Sequence, residues 1–169
     1  ASLDTTVCLW DARNMGKHHS APKVSARKPL ATLPHARSVN SAHFAPAGAY
    51  LVTTCQDDRL HLYDTLAFAA ALGESIAHNN QTGRWLTKFQ AVWDPKASDL
   101  FVCGSMSKGP HGIDAFNATA AAAGKPPIAT RLEGGEVMTS IQSVVACHPR
   151  LPLVAGINAS GRCHVFRQR

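Results

Sequence analysis

A chain of 169 residues with 45% apolar and 17% charged residues is globular rather than disordered and suits one ordinary domain. No stretch approaches the roughly 20 apolar residues that a membrane span needs, and no charged-then-apolar leader opens the chain at Ala1. The formal charge of +6 matches six cations, Arg13, Lys17, Lys23, Arg27, Lys28 and Arg37, in an interval from Asp11 to Asp57 with no acidic residue inside it. Such a run is either a solvated loop or an attraction for a polyanion such as nucleic acid.

In chain order, Val7-Cys-Leu-Trp10 reads as a short strand that closes at Asp11, with nothing before it to begin its unit, so the chain is expected to be a fragment. Met15 to Pro29 reads as a basic connector. From His35 to Asp64 comes one well-formed unit, with strands at Val39–Phe44, Tyr50–Thr54 and Leu60–Tyr63, separated by turns at Pro46-Ala-Gly48 and Gln56-Asp-Asp58. Leu66 to Ala77 is Ala-rich and predicts a short helix. The polar segment from His78 leads to Gly83-Arg84-Trp85 and then to a strand with Phe89, Ala91 and Trp93 on one face. Ile113–Phe116 is a further strand, Asn117 to Pro127 reads as loop, and Cys163–Phe166 closes the chain as another strand.

Trp10, Tyr63, Phe116 and Phe166, each ending an apolar strand, recur at intervals of 53, 53 and 50 residues. Upstream, Phe44-Ala-Pro46, Trp93-Asp-Pro95 and Cys147-His-Pro149 each set a proline two residues past a core position, where the chain must leave its ladder. Units of about 50 residues built of strand and turn are propeller blades of four strands each.

The pattern of Ser2, Asp4, Val7 and Trp10-Asp11, and of Pro34-His35, Asp57 and Tyr63-Asp64, resembles WD40 repeats. The resemblance implies that His35, Thr53, Asp57 and Tyr63 form a buried hydrogen-bonded tetrad, with Tyr63 in place of the usual tryptophan. Phe116-Asn117 and Phe166-Arg167 depart further, which implies incomplete tetrads in the later blades. Leu33-Pro-His-Ala-Arg-Ser-Val-Asn-Ser-Ala42 and His78-Asn-Asn-Gln-Thr-Gly-Arg-Trp85 are more specific. They are similar to the WD repeat-containing protein 76 family, sister to the damaged-DNA-binding propeller subunit.

The fold class expected is all-β: a WD40 β-propeller, present as about three blades plus one closing strand of a seven-bladed ring. The boundaries are 1–13 for the closing strand of a preceding blade, 14–34 for a basic linker and outer strand, and 35–64 for a complete blade core. An Ala-rich connector follows at 65–77, a blade with the Gly-Arg-Trp turn at 78–117, an Ala/Pro/Gly loop region at 118–136 and the last blade at 137–169.

For chemistry, no G-x-S-x-G, phosphate-binding glycine loop or H-E-x-x-H is present, so the reading is non-enzymatic. Cys8, Cys55, Cys103, Cys147 and Cys163 show neither C-x-x-C spacing nor a zinc-type cluster with histidine. They read as small, buried, reduced side chains, and no metal or cofactor is expected.

Trp10-Asp11-Ala12-Arg13 resembles the box by which WD40 proteins engage the adaptor subunit of cullin-4 ubiquitin ligases, which implies adaptor docking through Trp10, Asp11 and Arg13. An arginine suits that role because its planar fork binds in two places at once. Aligning on Leu86-Thr87 implies that Gly83-Arg84-Trp85 occupies the position of the sister subunit's DNA wedge, though the triad differs. Arg84, Trp85, Arg37 and Lys88 are therefore the DNA-binding candidates, with Lys108 and Arg162 as further basic positions. The implied partners are DNA, with a preference for UV-damaged DNA as the narrower form, the ligase adaptor and chromatin proteins; the implied location is nuclear. A protein scaffold for peptides or histone tails stays open as the rival reading, as does a fragment without independent function.

Overall fold

The computed structural model describes residues 3–14, 28–68, 72–73, 75–107 and 109–167. It forms four antiparallel sheets taken up in sequence. β1 (Thr6–Leu9) pairs with β2 (Ala31–Pro34) in a two-stranded sheet. β3 (Val39–Phe44), β4 (Tyr50–Cys55), β5 (Arg59–Asp64) and β6 (Ile76–Ala77) follow as a four-stranded sheet in that order. β7 (Val92–Trp93), β8 (Leu100–Gly104), β9 (Gly112–Asn117) and β10 (Ile128–Glu133) make a second such sheet. β11 (Gln142–Cys147), β12 (Leu153–Asn158) and β13 (Cys163–Arg167) make a three-stranded one. These are the blades of a propeller segment. The three strands β3, β7 and β11 end at Phe44, Trp93 and Cys147, each two residues before its proline.

Side chains alternate sides along a strand, and each inner sheet is buried on both faces. In β4, Leu51 packs back towards the first sheet with Leu33 and Tyr63, while its neighbour Val52 packs forward with Phe89, Trp93 and Phe101 of the next. In β8, Phe101 and Cys103 face back and Val102 faces forward to Val145 of β11. Successive apolar residues thus serve successive interfaces. Polar links cross them as well: Trp93 Nε1 donates to the His43 carbonyl at 2.8 Å, and the Ala91 amide donates to Thr54 Oγ1 at 3.0 Å. At Gly104 the backbones come so close that a Cβ would meet the Gln142 carbonyl oxygen at 1.9 Å.

Several expectations fail. The helix predicted for Leu66 to Ala77 is absent among the described residues there, which turn and then form β6. The helix lies instead in the stretch read as loop: α1 (Ala118–Ala122) starts where Asn117 Oδ1 accepts from the Ala120 amide at 2.7 Å, an N-cap on an alanine run. The span 118–136 also supplies β10, which covers β9. All five cysteines are free, and Cys55 and Cys103 are buried as expected, but Cys163 is exposed on β13. Among the described residues, no helix is long and apolar enough to cross a membrane.

Candidate nucleic-acid interface

Three loops are tied together at one end of the second sheet. The turn Gln56–Asp58 joins β4 to β5, and the Gln56 amide donates to the Ser38 carbonyl at 2.9 Å, while the Cys55 thiol donates to the Arg37 carbonyl at 3.2 Å. The segment after β6 closes from the other side. Asn80, fully buried, donates from Nδ2 to the carbonyls of Cys55 (2.8 Å) and Arg59 (3.1 Å), and its amide donates to Asp58 Oδ1 at 2.8 Å. Gln81 Nε2 donates to the Gln56 carbonyl at 2.6 Å. Asp58 stands in the left-handed region at φ 61°, which aims its carboxylate at Asn80 rather than at solvent.

This anchoring presents Gly83-Arg84-Trp85. Thr82 and Phe89 are buried on either side, and Gly83 at φ 64° lets the chain swing out between them. Trp85 is 90% exposed, Arg84 and Lys88 are exposed beside it, and Lys88 Nζ reaches the Gly83 carbonyl at 3.4 Å. Arg37 is exposed on the linked loop of the same end. Asp57 is turned inward to His61, as Asp58 is to Asn80, so the cations face outward without a carboxylate between them and solvent. Arg162, on the turn between β12 and β13, is exposed too, with NH1 3.4 Å from Thr139 Oγ1. Lys108 lies outside the described residues.

Trp10, Asp11 and Arg13 sit at the opposite end of the strands. The His35 amide donates to the Thr5 carbonyl at 2.9 Å, tying the start of β1 to the Arg37 loop, whereas the Leu30 amide donates to the Leu9 carbonyl at 2.8 Å at its far end. Arg13 forms a two-pronged pair with Asp11, Nε to Oδ1 at 3.0 Å and NH2 to Oδ2 at 2.9 Å, and its side chain is 90% exposed. The guanidinium beside Asp11 holds that carboxyl below its usual range. Trp10 is 42% exposed. The sequence candidates therefore fall into two sets on two ends, with Arg37, Arg84, Trp85 and Lys88 together and Trp10, Asp11 and Arg13 apart from them.

The implied tetrad forms only in part. His35 Nδ1 donates to the Leu33 carbonyl (3.1 Å), and its Nε2 accepts from Thr53 Oγ1 (2.8 Å) and the Tyr63 hydroxyl (3.2 Å). Asp57 does not join them. Its Oδ2 pairs with His61 Nε2 at 3.0 Å, because the His61 ring stands edge-on to His35, 5.0 Å between centroids, and intercepts the carboxylate. Burial, then His61, pushes the His35 ring below its usual range, and burial pushes the Tyr63 hydroxyl up to about 12.

In the next blade the sequence reading missed a polar cluster. Arg131 of β10 holds Asp114 of β9 through Nε to Oδ1 (2.6 Å) and NH2 to Oδ2 (3.1 Å), with Ser107 Oγ 3.1 Å from NH1. The two are 17 residues apart, and β10, which carries Arg131, falls in a stretch that reads as loop, so no local signal joins them. Here His78 takes the place that His35 has one blade earlier.

The model of the WD domain, G-beta repeat, matches residues 27–64. WD repeat-containing protein 76 of Xenopus laevis is 40% identical over 163 residues, 95% of this chain and 26% of the relative. DNA damage-binding protein CMR1 of Chaetomium globosum is 35% identical over 96% of this chain and 31% of the relative. Protein DAMAGED DNA-BINDING 2 of Arabidopsis thaliana is 40% identical over 57% of this chain and 16% of the relative. The chain thus spans about a quarter to a third of the length of the first two. Among solved structures, a chain in a crystal structure of the mitotic checkpoint complex superposes with TM-score 0.62 at 16% identity, over 85% of this chain and 41% of that one, a likeness of fold alone.

Proposed function

We propose, on the premise that this chain is a WD40-repeat β-propeller segment similar to WD repeat-containing protein 76, that it belongs to a non-enzymatic nuclear DNA-damage protein and carries part of its DNA-binding face. The observation that carries this reading is Trp85, 90% exposed on a turn whose flanks are buried. An indole held out in this way offers a flat face for base stacking at little cost in side-chain freedom. Arg84, Lys88 and Arg37 supply phosphate contacts around it, and the carboxylates nearby point inward. Relatives that bear the name DNA damage-binding protein support the same reading. A preference for UV-damaged DNA is its narrower form.

Arg13 at the other end suits docking to the adaptor subunit of a cullin-4 ubiquitin ligase. Asp11 uses two of its five donors and fixes the plane of the fork, and the remaining N–H groups project outward. DNA and adaptor then bind at opposite ends of the strands and do not compete, and chromatin proteins are further partners.

The test is duplex binding by the full-length protein, with intact and UV-irradiated DNA. Trp85→Ala is expected to weaken binding by about 1–3 kcal/mol, the worth of one stacked base. Affinity unchanged in Trp85→Ala, with peptides or histone tails bound instead, overturns the DNA reading in favour of a protein scaffold.

A further inference from the structure

Beneath the Arg37 loop, three potential ligand atoms converge: the sulfur of Cys55, a carboxylate oxygen of Asp57 and a ring nitrogen of His61 all lie within 4.8 Å of one another. Cys55 closes β4, Asp57 sits in the turn and His61 is on β5, so a tight hairpin brings all three to one side. Two independent observations mark the cluster. Asp57 Oδ1 is buried and has no hydrogen-bond partner among the described residues, although Oδ2 is satisfied by His61. A buried carboxylate oxygen without a donor is costly, and a cation would relieve it. The Cys55 thiol is fully buried and unbridged, and it donates to the Arg37 carbonyl at 3.2 Å.

We propose that Cys55, Asp57 and His61 form a site for a divalent metal ion of the zinc class. Sulfur, nitrogen and one carboxylate oxygen together select zinc or cobalt over magnesium and calcium, which take oxygen alone. Zinc lies about 2.0–2.3 Å from such ligands, so tetrahedral donors stand roughly 3.3–3.8 Å apart, and a cluster spanning up to 4.8 Å closes on the ion by about 1 Å at its widest. On binding, the Cys55 thiol releases its proton to solvent and the sulfur bonds the metal. The His61 proton moves to Nδ1 so that Nε2 donates its lone pair, and Asp57 binds as carboxylate. One thiolate and one carboxylate cancel the two charges of the ion, so the buried site is neutral. Solvent takes the fourth position from the side where Asp57 and His61, at 11% and 15% side-chain exposure, reach the surface. The ion would staple the hairpin turn beneath Arg37. The sequence hid the site because C-x-D followed four residues later by His is not a familiar zinc spacing.

Cobalt(II) titration of chelator-stripped full-length protein tests this. The wild type is expected to show a thiolate-to-cobalt charge-transfer band that zinc abolishes. Cys55→Ser is expected to lose the band, and Asp57→Asn and His61→Ala to weaken cobalt affinity at least about tenfold. Cys163→Ser, changed at an exposed thiol, is expected to match the wild type. Asp57→Asn keeps the shape of the side chain and can still accept from His61, so its near-ultraviolet circular dichroism separates a lost ligand from a lost fold. A band that persists in Cys55→Ser, or a folded Asp57→Asn with unaltered affinity, overturns the site. None of these readouts depends on DNA.

Discussion

The ring of His78 meets Phe116 edge-on at 5.9 Å between centroids, and its buried Nε2 has no hydrogen-bond partner among the described residues. One blade earlier His35 meets Tyr63 at the same 5.9 Å, and the tyrosine hydroxyl donates to it. The register explains the rest. Thr53 lies opposite His61 on β5, and Cys103 lies opposite Asp114 on β9, so the hydroxyl that serves His35 is a thiol in the next blade. His78 Nδ1 donates to Asn80 Oδ1 at 2.7 Å, which leaves Nε2 as an acceptor without a donor.

Phe116→Tyr is expected to supply that donor and to raise stability by about 1 kcal/mol, the net worth of a hydrogen bond. Tyr63→Phe is expected to cost about as much. Chemical denaturation of the full-length protein measures both, and a destabilised Phe116→Tyr would show that the ring has no room for a hydroxyl.

The two histidines also set a pH dependence. Burial pushes the His78 ring below its usual value of 6.5, and burial together with His61 does the same for His35. The unfolded chain then binds protons that the folded one refuses, so their contribution to stability is full above about pH 6.5 and is lost as pH falls below it. The melting temperature is expected to drop between about pH 7 and about pH 5, and to drop less in His78→Gln. An equal drop in that variant would assign the effect elsewhere.

Gly104 fixes how the sheet of β7 to β10 and the sheet of β11 to β13 approach. Its φ is ordinary, but the Gln142 carbonyl occupies the space of a side chain, so Gly104→Ala must push two backbones apart. A loss of about 3 kcal/mol or more is expected, against less than about 1 for Gly109→Ala, which meets nothing within 4 Å. Thermal unfolding of the two variants side by side checks this.

Arg13→Ala leaves packing untouched, because the side chain is 90% exposed, yet removes the outward guanidinium. Adaptor recovered in a pull-down with the full-length protein is expected to fall at least about tenfold, and Arg13→Lys is expected not to restore it, since a lysine lacks the fork. Undiminished recovery with Arg13→Ala removes the docking proposal.

The repeat was legible because propeller strands carry their own punctuation. Aromatic ends, turn residues and prolines two past Phe44, Trp93 and Cys147 are local signals that tertiary contacts only reinforce. The outer strands were harder to read. β6 is two residues long and β10 is exposed at Ile128 to Thr130, so neither shows the apolar alternation of a covered strand. The alanine run misled by composition: alone it says nothing of place, and the Asn117 cap decides that α1 forms there. For the site, the exposure of Trp85 followed from its polar, glycine-led turn. The anchor under it did not, because Asn80 works through carbonyls 21 to 25 residues away. The tetrad was misassigned at Asp57 since pattern alone cannot show which of two histidines stands nearer.

On the proposed DNA face, Arg37, Arg84 and Lys88 supply the phosphate contacts around Trp85. The salt dependence of duplex binding by the full-length protein measures those contacts. Each phosphate contact contributes about 0.9 to the slope of log affinity against log salt, so replacing all three cations with alanine is expected to flatten the slope by about 2–3. A slope and an affinity equal to those of the wild type would rule out this DNA face.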